Sequence, residues 1–143
     1  MNQFILPDLF ALVPFSATVN PHHKRASAES SAWMDSFNFF ADQKRSHFIR
    51  SNIELLMAHA YSYSDYEDFR TIADYANVLF TLDEISDEQD GKAALVTAEI
   101  SLKALAGEEC EHSGTPLYRF VSELVPSINS CLPSPIYLLS KTG

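Results

Sequence analysis

Residues 64–90 read SDYEDFRTIADYANVLFTLDEISDEQD and contain neither glycine nor proline. Ser64, followed three positions later by Glu67, forms a capping box that is typical of a helix start. Apolar side chains then recur at spacings of three and four, the period of one helical face: Phe69, Ile72, Ala73, Ala76, Leu79 and Phe80. The stretch therefore predicts one long helix that ends before Gly91.

Two further helices are predicted before this stretch. Asn20 followed by Pro21 indicates a helix start, and this first helix extends to about residue 42. It carries an aromatic row on one face, formed by Trp33, Phe37 and Phe40. Ser46 starts a second helix, whose apolar row fades in a stretch rich in tyrosine and serine; the row consists of Ile49, Ile53, Leu56, Met57 and Ala60.

Two more helices follow residue 90. One runs from about Lys92 to Ala106, with Gly107 at the position of a C-terminal cap. Its apolar row consists of Leu95, Ala98, Leu102 and Leu105. The other begins at Thr115-Pro116, and we expect Pro126 to stop it. Glycine is scarce and no strand pattern occurs, so the sequence predicts an all-α fold, a partial bundle of about five helices.

The last 19 residues differ in composition from the rest. Residues 125–143 contain no carboxylate and one basic residue, Lys141, whereas residues 1–124 hold all 19 carboxylates. Proline and serine punctuate this segment, and no helical period continues through it. Two interpretations remain open, a flexible tail or a reading frame that has left the ancestral protein. We therefore expect one helical domain over residues 1–124 and an unrelated, disordered tail over residues 125–143.

Charge and cysteine content argue against several classes of protein. Ten lysines and arginines against 19 carboxylates give a net charge of −9, which disfavours nucleic acid and suits a cationic ligand such as a metal ion. Cys110 and Cys131 have no metal-ligand spacing and form no disulfide framework, so a reducing cytoplasm is the expected location. Residues 1–15 are apolar but lack a basic leader and are interrupted by proline, which predicts neither a signal peptide nor a membrane span.

Five carboxylates crowd the end of the long helix within eight residues, and they are Asp83, Glu84, Asp87, Glu88 and Asp90. One interpretation is a solvated acidic helix end. However, carboxylates near a helix C-terminus oppose the macrodipole, and the apolar row leads at the same spacing into Asp83 and Asp87. Acids at the edge of an apolar surface are costly unless a cation neutralises them. Mg²⁺ takes one or two protein carboxylates and leaves its other positions to water and phosphate oxygens, so the pair suits a diphosphate with a hydrocarbon body.

The acidic segment FTLDEISD, residues 80–87, resembles the aspartate-rich motif of fungal sesquiterpene synthases. Other segments resemble, in the same order, the opening of the basidiomycete members of that family: Leu6-Pro7-Asp8-Leu9, Pro14-Phe15, Asn20-Pro21-His22, Glu29-Ser30 with Trp33, Ala60-Tyr61 and the region from Asp65 to Tyr75. The resemblance covers about residues 5–124. It implies a partial class I terpene synthase helical bundle.

The resemblance also implies roles for individual residues. Asp83 would be the principal Mg²⁺ ligand for the diphosphate of farnesyl diphosphate, with Asp87 assisting and Glu84 as a further candidate. Phe80 would lie on the wall of the substrate pocket, whereas Trp33 and Phe37 are expected to pack in the core. In this family, metal-assisted loss of diphosphate leaves a carbocation that cyclises in an apolar pocket.

Parts of the family pattern are missing from this sequence. The second metal-binding run, Asn-Asp-x-x-Ser-x-x-x-Glu, does not occur, nor do the diphosphate-sensing arginine and the C-terminal Arg-Tyr pair. We therefore expect a truncated, inactive or poorly active synthase that exposes apolar helix faces. Two alternatives remain. One is a non-catalytic product that binds Mg²⁺ or a prenyl diphosphate weakly or acts only through a partner, and the other is a non-catalytic, acidic helical interaction protein.

Overall fold

The computed structural model describes residues 7–8 and 17–131, and every regular element in these ranges is an α-helix. The six helices are α1 (His23–Asp35), α2 (Asp42–Ser51), α3 (Ile53–Ala60), α4 (Tyr66–Ser86), α5 (Gly91–Ala106) and α6 (Pro116–Cys131). The predicted all-α class is confirmed. Most of the opening segment in the resemblance, and residues 132–143 of the predicted tail, lie outside the described residues.

Helix α4 is the centre of the bundle, since α1, α3, α5 and α6 all contact it. It begins one residue later than predicted, because Asp65 and not Ser64 caps it by accepting a hydrogen bond from the backbone N–H of Asp68. The Ser64 hydroxyl instead donates to the carbonyl of Tyr61 at 2.9 Å. The long helix itself was predicted correctly.

The predicted second helix is two helices in the structure. Asn52 adopts a left-handed backbone conformation, with φ 52° and ψ 47°, at the junction of α2 and α3. Asparagine tolerates this conformation better than most residues, so the chain can turn there without glycine. This one residue explains why the bundle has six helices in its described part and not five.

The first helix ends at Asp35, earlier than residue 42, so the prediction of a helical Phe37 and Phe40 is wrong. The chain turns at Asn38, which has a φ of 53°. Phe37 nevertheless packs against the core as predicted, with its ring centroid 5.0 Å from that of Phe120. Trp33 does the same at 4.7 Å.

Proline 126 does not stop the last helix, which continues through it to Cys131. The apolar face of α6 extends past the proline, because Val121 and Leu124 are buried and Ile128 packs against the same core cluster. The packing of Ile128 offsets the backbone hydrogen bond that Pro126 cannot donate. Residues 125–131 of the predicted tail are therefore helical.

Helix α5 presents its large apolar side chains outward. The residues that face the bundle are Thr97, Ile100, Ser101 and Ala104, and all of them except Ile100 are small or polar. Small side chains let the backbone of α5 lie close to its neighbours α4 and α6. The predicted apolar row of Leu95, Ala98, Leu102 and Leu105 is exposed and does not contribute to the core. No helix in residues 17–131 combines the length and apolarity needed to cross a bilayer.

Phe120 is expected to be the most sensitive position of the aromatic core. Its side chain is fully buried among Trp33, Phe37 and Phe39, so Phe120→Ala should lower the free energy of unfolding by about 3 to 5 kcal/mol. Tyr63→Ala, at a side chain that is 91% exposed, is the matched control and should change it by less than about 0.5 kcal/mol. Urea denaturation followed by circular dichroism measures both. Equal effects of the two substitutions would contradict this account of the core.

Candidate functional site

An apolar groove of about 580 Å³ opens along one side of α4. Its floor and walls come from the end of α3, the end of α6 and, mostly, one face of α4. The α4 residues that line it are Thr71, Ile72, Tyr75, Ala76, Leu79 and Phe80, and α6 contributes Ile128 and Cys131. The groove can accept a hydrocarbon chain, because ligand pockets of this size are usually lined by apolar and aromatic side chains.

The apolar row that the sequence predicts on α4, from Phe69 to Phe80, is divided between the core and this groove. Phe69 and Ala73 are fully buried, whereas Leu79 and Phe80 are 45% and 38% exposed. Phe80 therefore borders the groove and does not belong to the core. Tyr75, to which the sequence pattern assigned no role, also lines the groove and is 46% exposed. The only sequence signal for this placement is that Tyr75 precedes Leu79 by four residues, one helical turn, and therefore shares its face.

Asp83 and Asp87 continue the groove face toward the end of α4. Asp83 follows Phe80 by three residues and Leu79 by four, so it lies one turn farther along the same side. Asp87 caps the helix and donates its backbone N–H to the carbonyl of Asp83 at 2.9 Å. Both side chains are exposed, and neither carboxylate has a hydrogen bond or ion pair within residues 17–131. These two acids are available to a cation.

The other three carboxylates of the acidic run have structural partners. The Nζ atom of Lys44 on α2 lies 3.4 Å from Oε2 of Glu84 and 2.9 Å from Oε1 of Glu88. The same ammonium donates to the backbone carbonyl of Glu84 at 3.0 Å. The bond to Glu88, with a smaller effect of Glu84, raises the pKa of Lys44 despite the opposing effect of burial. Asp90 caps α5 by accepting hydrogen bonds from two backbone N–H groups.

Lys44 thus separates the run into two classes of acid. Glu84 and Glu88 point toward α2, whereas Asp83 and Asp87 belong to the groove side. Sequence spacing gave no sign of Lys44, because it lies 40 residues before Glu84 in the chain. Within the described ranges, no group of three or more histidine, cysteine or acidic residues is arranged to hold a metal ion. The two aspartates are therefore a pair and not a complete cage.

A polar network is buried on the opposite side of α4, where α1 and α3 contact it. Asp74 is 6% exposed and forms an ion pair with Arg70 one turn earlier. The Nδ2 atom of Asn77 donates to Oγ of Ser30 at 2.8 Å and to Oε1 of Glu54 at 3.1 Å. Oδ1 of Asp74 has no hydrogen-bond partner among the described residues. Burial raises the pKa of Asp74 to about 6, against the opposing effects of Ser30 and Arg70.

The raised pKa of Asp74 should make folding stability depend on pH. The folded chain holds this proton up to about pH 6, whereas the unfolded value is 3.8, so ionisation costs stability as the pH rises through that interval. Between about pH 4.5 and 7.5 we expect a loss of about 2 kcal/mol in the free energy of unfolding from this group. Asp74→Asn should remove that part of the pH dependence.

The free energy of unfolding is measured for each variant at the two pH values, and the change between them is compared across variants. Any constant effect of leaving Arg70 without its partner cancels in this comparison, because it is the same at both pH values. Asp68→Asn, at an exposed position of the same helix, is the control and should keep the wild-type dependence. An Asp74→Asn variant with the wild-type dependence would contradict the assignment.

No family model matches the chain. Several curated proteins nevertheless match it. One is the bifunctional terpene synthase Agr4 of Cyclocybe aegerita, which is 43% identical over 122 residues; the match covers 85% of this chain and 35% of Agr4. Viridiflorene synthase Agr2 of the same species is 35% identical over 125 residues, 84% of this chain and 32% of Agr2. Linoleate 10R-lipoxygenase COP4 of Coprinopsis cinerea is 50% identical over 104 residues, 73% of this chain and 30% of COP4.

The matches share one property, which is their limited extent. The chain spans about a third of the length of the curated relatives it matches. Several of the others are also sesquiterpene synthases of fungi by name, including a protoilludene synthase of Stereum hirsutum that is 38% identical over 86 residues. The predicted resemblance to the N-terminal part of basidiomycete sesquiterpene synthases is confirmed.

Proposed function

Because this chain is related to the N-terminal part of the fungal sesquiterpene synthases, we propose that it carries the first diphosphate-binding element of such an enzyme. In this proposal Asp83 and Asp87 hold Mg²⁺ against the diphosphate of farnesyl diphosphate, and the groove receives the prenyl chain. The observation that supports it most is the continuous face of α4. On this face the groove-lining residues lead directly to two carboxylates that have no partner within residues 17–131.

The residues present fit a magnesium ion. Asp83 and Asp87 lie at i and i+4, on one side of the helix end, and Mg²⁺ usually takes one or two protein carboxylates together with water and phosphate oxygens. Their charges add to the negative end of the α4 macrodipole, where the last turn has no basic residue. When bound, Mg²⁺ would supply charge neutralisation for the departing diphosphate. Glu84 can join only by exchanging its contact with Lys44.

The groove suits the hydrocarbon part of the same ligand. Phe80, Tyr75 and Tyr61 present aromatic rings to it, and aromatic faces stabilise a nearby carbocation while an apolar wall excludes water. A cytoplasmic location is part of the proposal, in agreement with the free thiols of Cys110 and Cys131. Ionisation and cyclisation of farnesyl diphosphate would be the reaction of the family. Two carboxylates alone should give this chain weak binding and little turnover.

Replacement of Asp83 tests the metal role. In equilibrium titrations with farnesyl diphosphate, Asp83→Asn should weaken the Mg²⁺-dependent part of binding by about tenfold or more, which corresponds to about 1.4 kcal/mol. The loss is expected because the variant keeps the shape of the side chain and removes its charge. Asp68→Asn is the control, since it removes one exposed carboxylate at the other end of the same helix.

Replacement of Phe80 separates the two halves of the ligand. Phe80→Ser should weaken binding of farnesyl diphosphate but leave Mg²⁺-dependent binding of inorganic diphosphate unchanged, because only the prenyl chain contacts the groove. Volatile products are measured in parallel by gas chromatography. If Asp83→Asn and Asp68→Asn bind alike, the acidic end is a solvated surface, and the interaction-protein alternative is the better description.

A further inference from the structure

Lys44 on α2 holds two of the carboxylates at the acidic end of α4. Its Nζ atom is 2.9 Å from Oε1 of Glu88 and 3.4 Å from Oε2 of Glu84, and it donates to the backbone carbonyl of Glu84 at 3.0 Å. The ring centroid of Phe40 lies 5.3 Å from the same atom, and the Lys44 side chain is 27% exposed. An isolated ion pair at a surface is weak, but these contacts together fix the ammonium between the two glutamates.

The carboxylates that Lys44 engages lie next to the pair on the groove side. Asp87 is a surface neighbour of both Asp83, four residues earlier, and Glu84, three residues earlier. Glu88 shares its cation with Glu84. Four free carboxylates at this helix end would repel one another and add to the negative end of the macrodipole. Sites with more carboxylates bind divalent cations more tightly, so such a cluster would hold a metal ion without any substrate.

We propose that Lys44 makes Mg²⁺ binding at Asp83 and Asp87 depend on diphosphate. By engaging Glu84 and Glu88, the ammonium leaves only two carboxylates for the metal. Mg²⁺ then needs phosphate oxygens to complete its octahedral shell, so the metal and the diphosphate bind tightly only together. Lys44 is a positioning residue, because it acts through the two glutamates. The inference rests on the proposed function, since it concerns the same site.

Calorimetric titration of the whole chain with MgCl₂ tests the proposal. Without diphosphate, Lys44→Met should bind Mg²⁺ about fivefold more tightly than the wild type, since the two glutamates become free. At saturating Mg²⁺ it should bind inorganic diphosphate no more tightly, because phosphate oxygens then fill the positions that a glutamate would take. Lys44→Gln removes the charge but keeps a hydrogen-bond donor, and it should behave alike. A merely structural role would not raise the metal affinity.

Lys92→Met is the matched control for charge. The Lys92 side chain is exposed two residues after Asp90 and forms no ion pair within residues 17–131, so this variant removes an ammonium near the acidic run but frees no glutamate. Its Mg²⁺ affinity should stay within about twofold of the wild-type value, because salt screens exposed charges. The double variant Lys44→Met with Glu84→Gln should return the affinity to near that value. Equal gains in Lys44→Met and Lys92→Met would overturn the proposal, since net charge alone would explain both.

Asp83→Asn separates this inference from the proposed function. If Asp83→Asn weakens Mg²⁺-dependent binding of diphosphate but both Lys44 variants keep the wild-type Mg²⁺ affinity, the metal site stands and the role of Lys44 is refuted. If Asp83→Asn has no effect, the proposed function fails, and this inference fails with it. Circular dichroism verifies that each variant is folded.

Discussion

The rest of the structure depends on how α4 divides its surface. Helices α1, α3, α5 and α6 pack against this 21-residue helix, and Lys44 of α2 reaches the carbonyl of Glu84 near its end. Its buried side is built from small or polar residues as well as Phe69, so that α1 and α3 approach it closely. One face is left uncovered by the described residues, and on it the side chains of Tyr75, Leu79 and Phe80 border the groove. The candidate site exists because the same helix is both the core of the bundle and one wall of the groove.

The acidic end of α4 illustrates how packing selects among chemically similar residues. Five carboxylates lie within eight residues, but three of them already have partners: two pair with the Lys44 ammonium and one caps the start of α5. Lys44 reaches Glu84 and Glu88 from α2, and Asp90 caps α5. Asp83 and Asp87, on the side toward the groove, have no partner among the residues that the structure describes. Two carboxylates that form no ion pair with any described residue favour a metal ion, whereas Glu84 and Glu88 are already neutralised by Lys44.

Local patterns predicted most elements but missed the turns between them. The long α4 and the C-terminal cap at Gly107 followed from spacing and turn chemistry. Trp33 and Phe37 pack in the core as expected, although Phe37 lies beyond the end of α1. Asn38 and Asn52 were missed because a left-handed asparagine leaves no periodic signal of its own. Pro126 was misread because its local penalty is offset by the burial of the apolar face of α6, which depends on neighbouring helices. Helix α5 was predicted correctly as an element, but the side that faces the core was not.

The sequence by itself determined the all-helical class, the relation to fungal sesquiterpene synthases and the presence of two aspartates one turn apart at the end of an apolar row. These properties are local, since they depend on residues within one or two helical turns. Only the tertiary structure decided which acids are paired, which part of the row faces a groove, and that the leucines of α5 face outward. Each of these outcomes depends on side chains that are distant in the chain. Lys44 lies beside Glu84, and Ile128 lines the same groove as Leu79, only because the helices pack together.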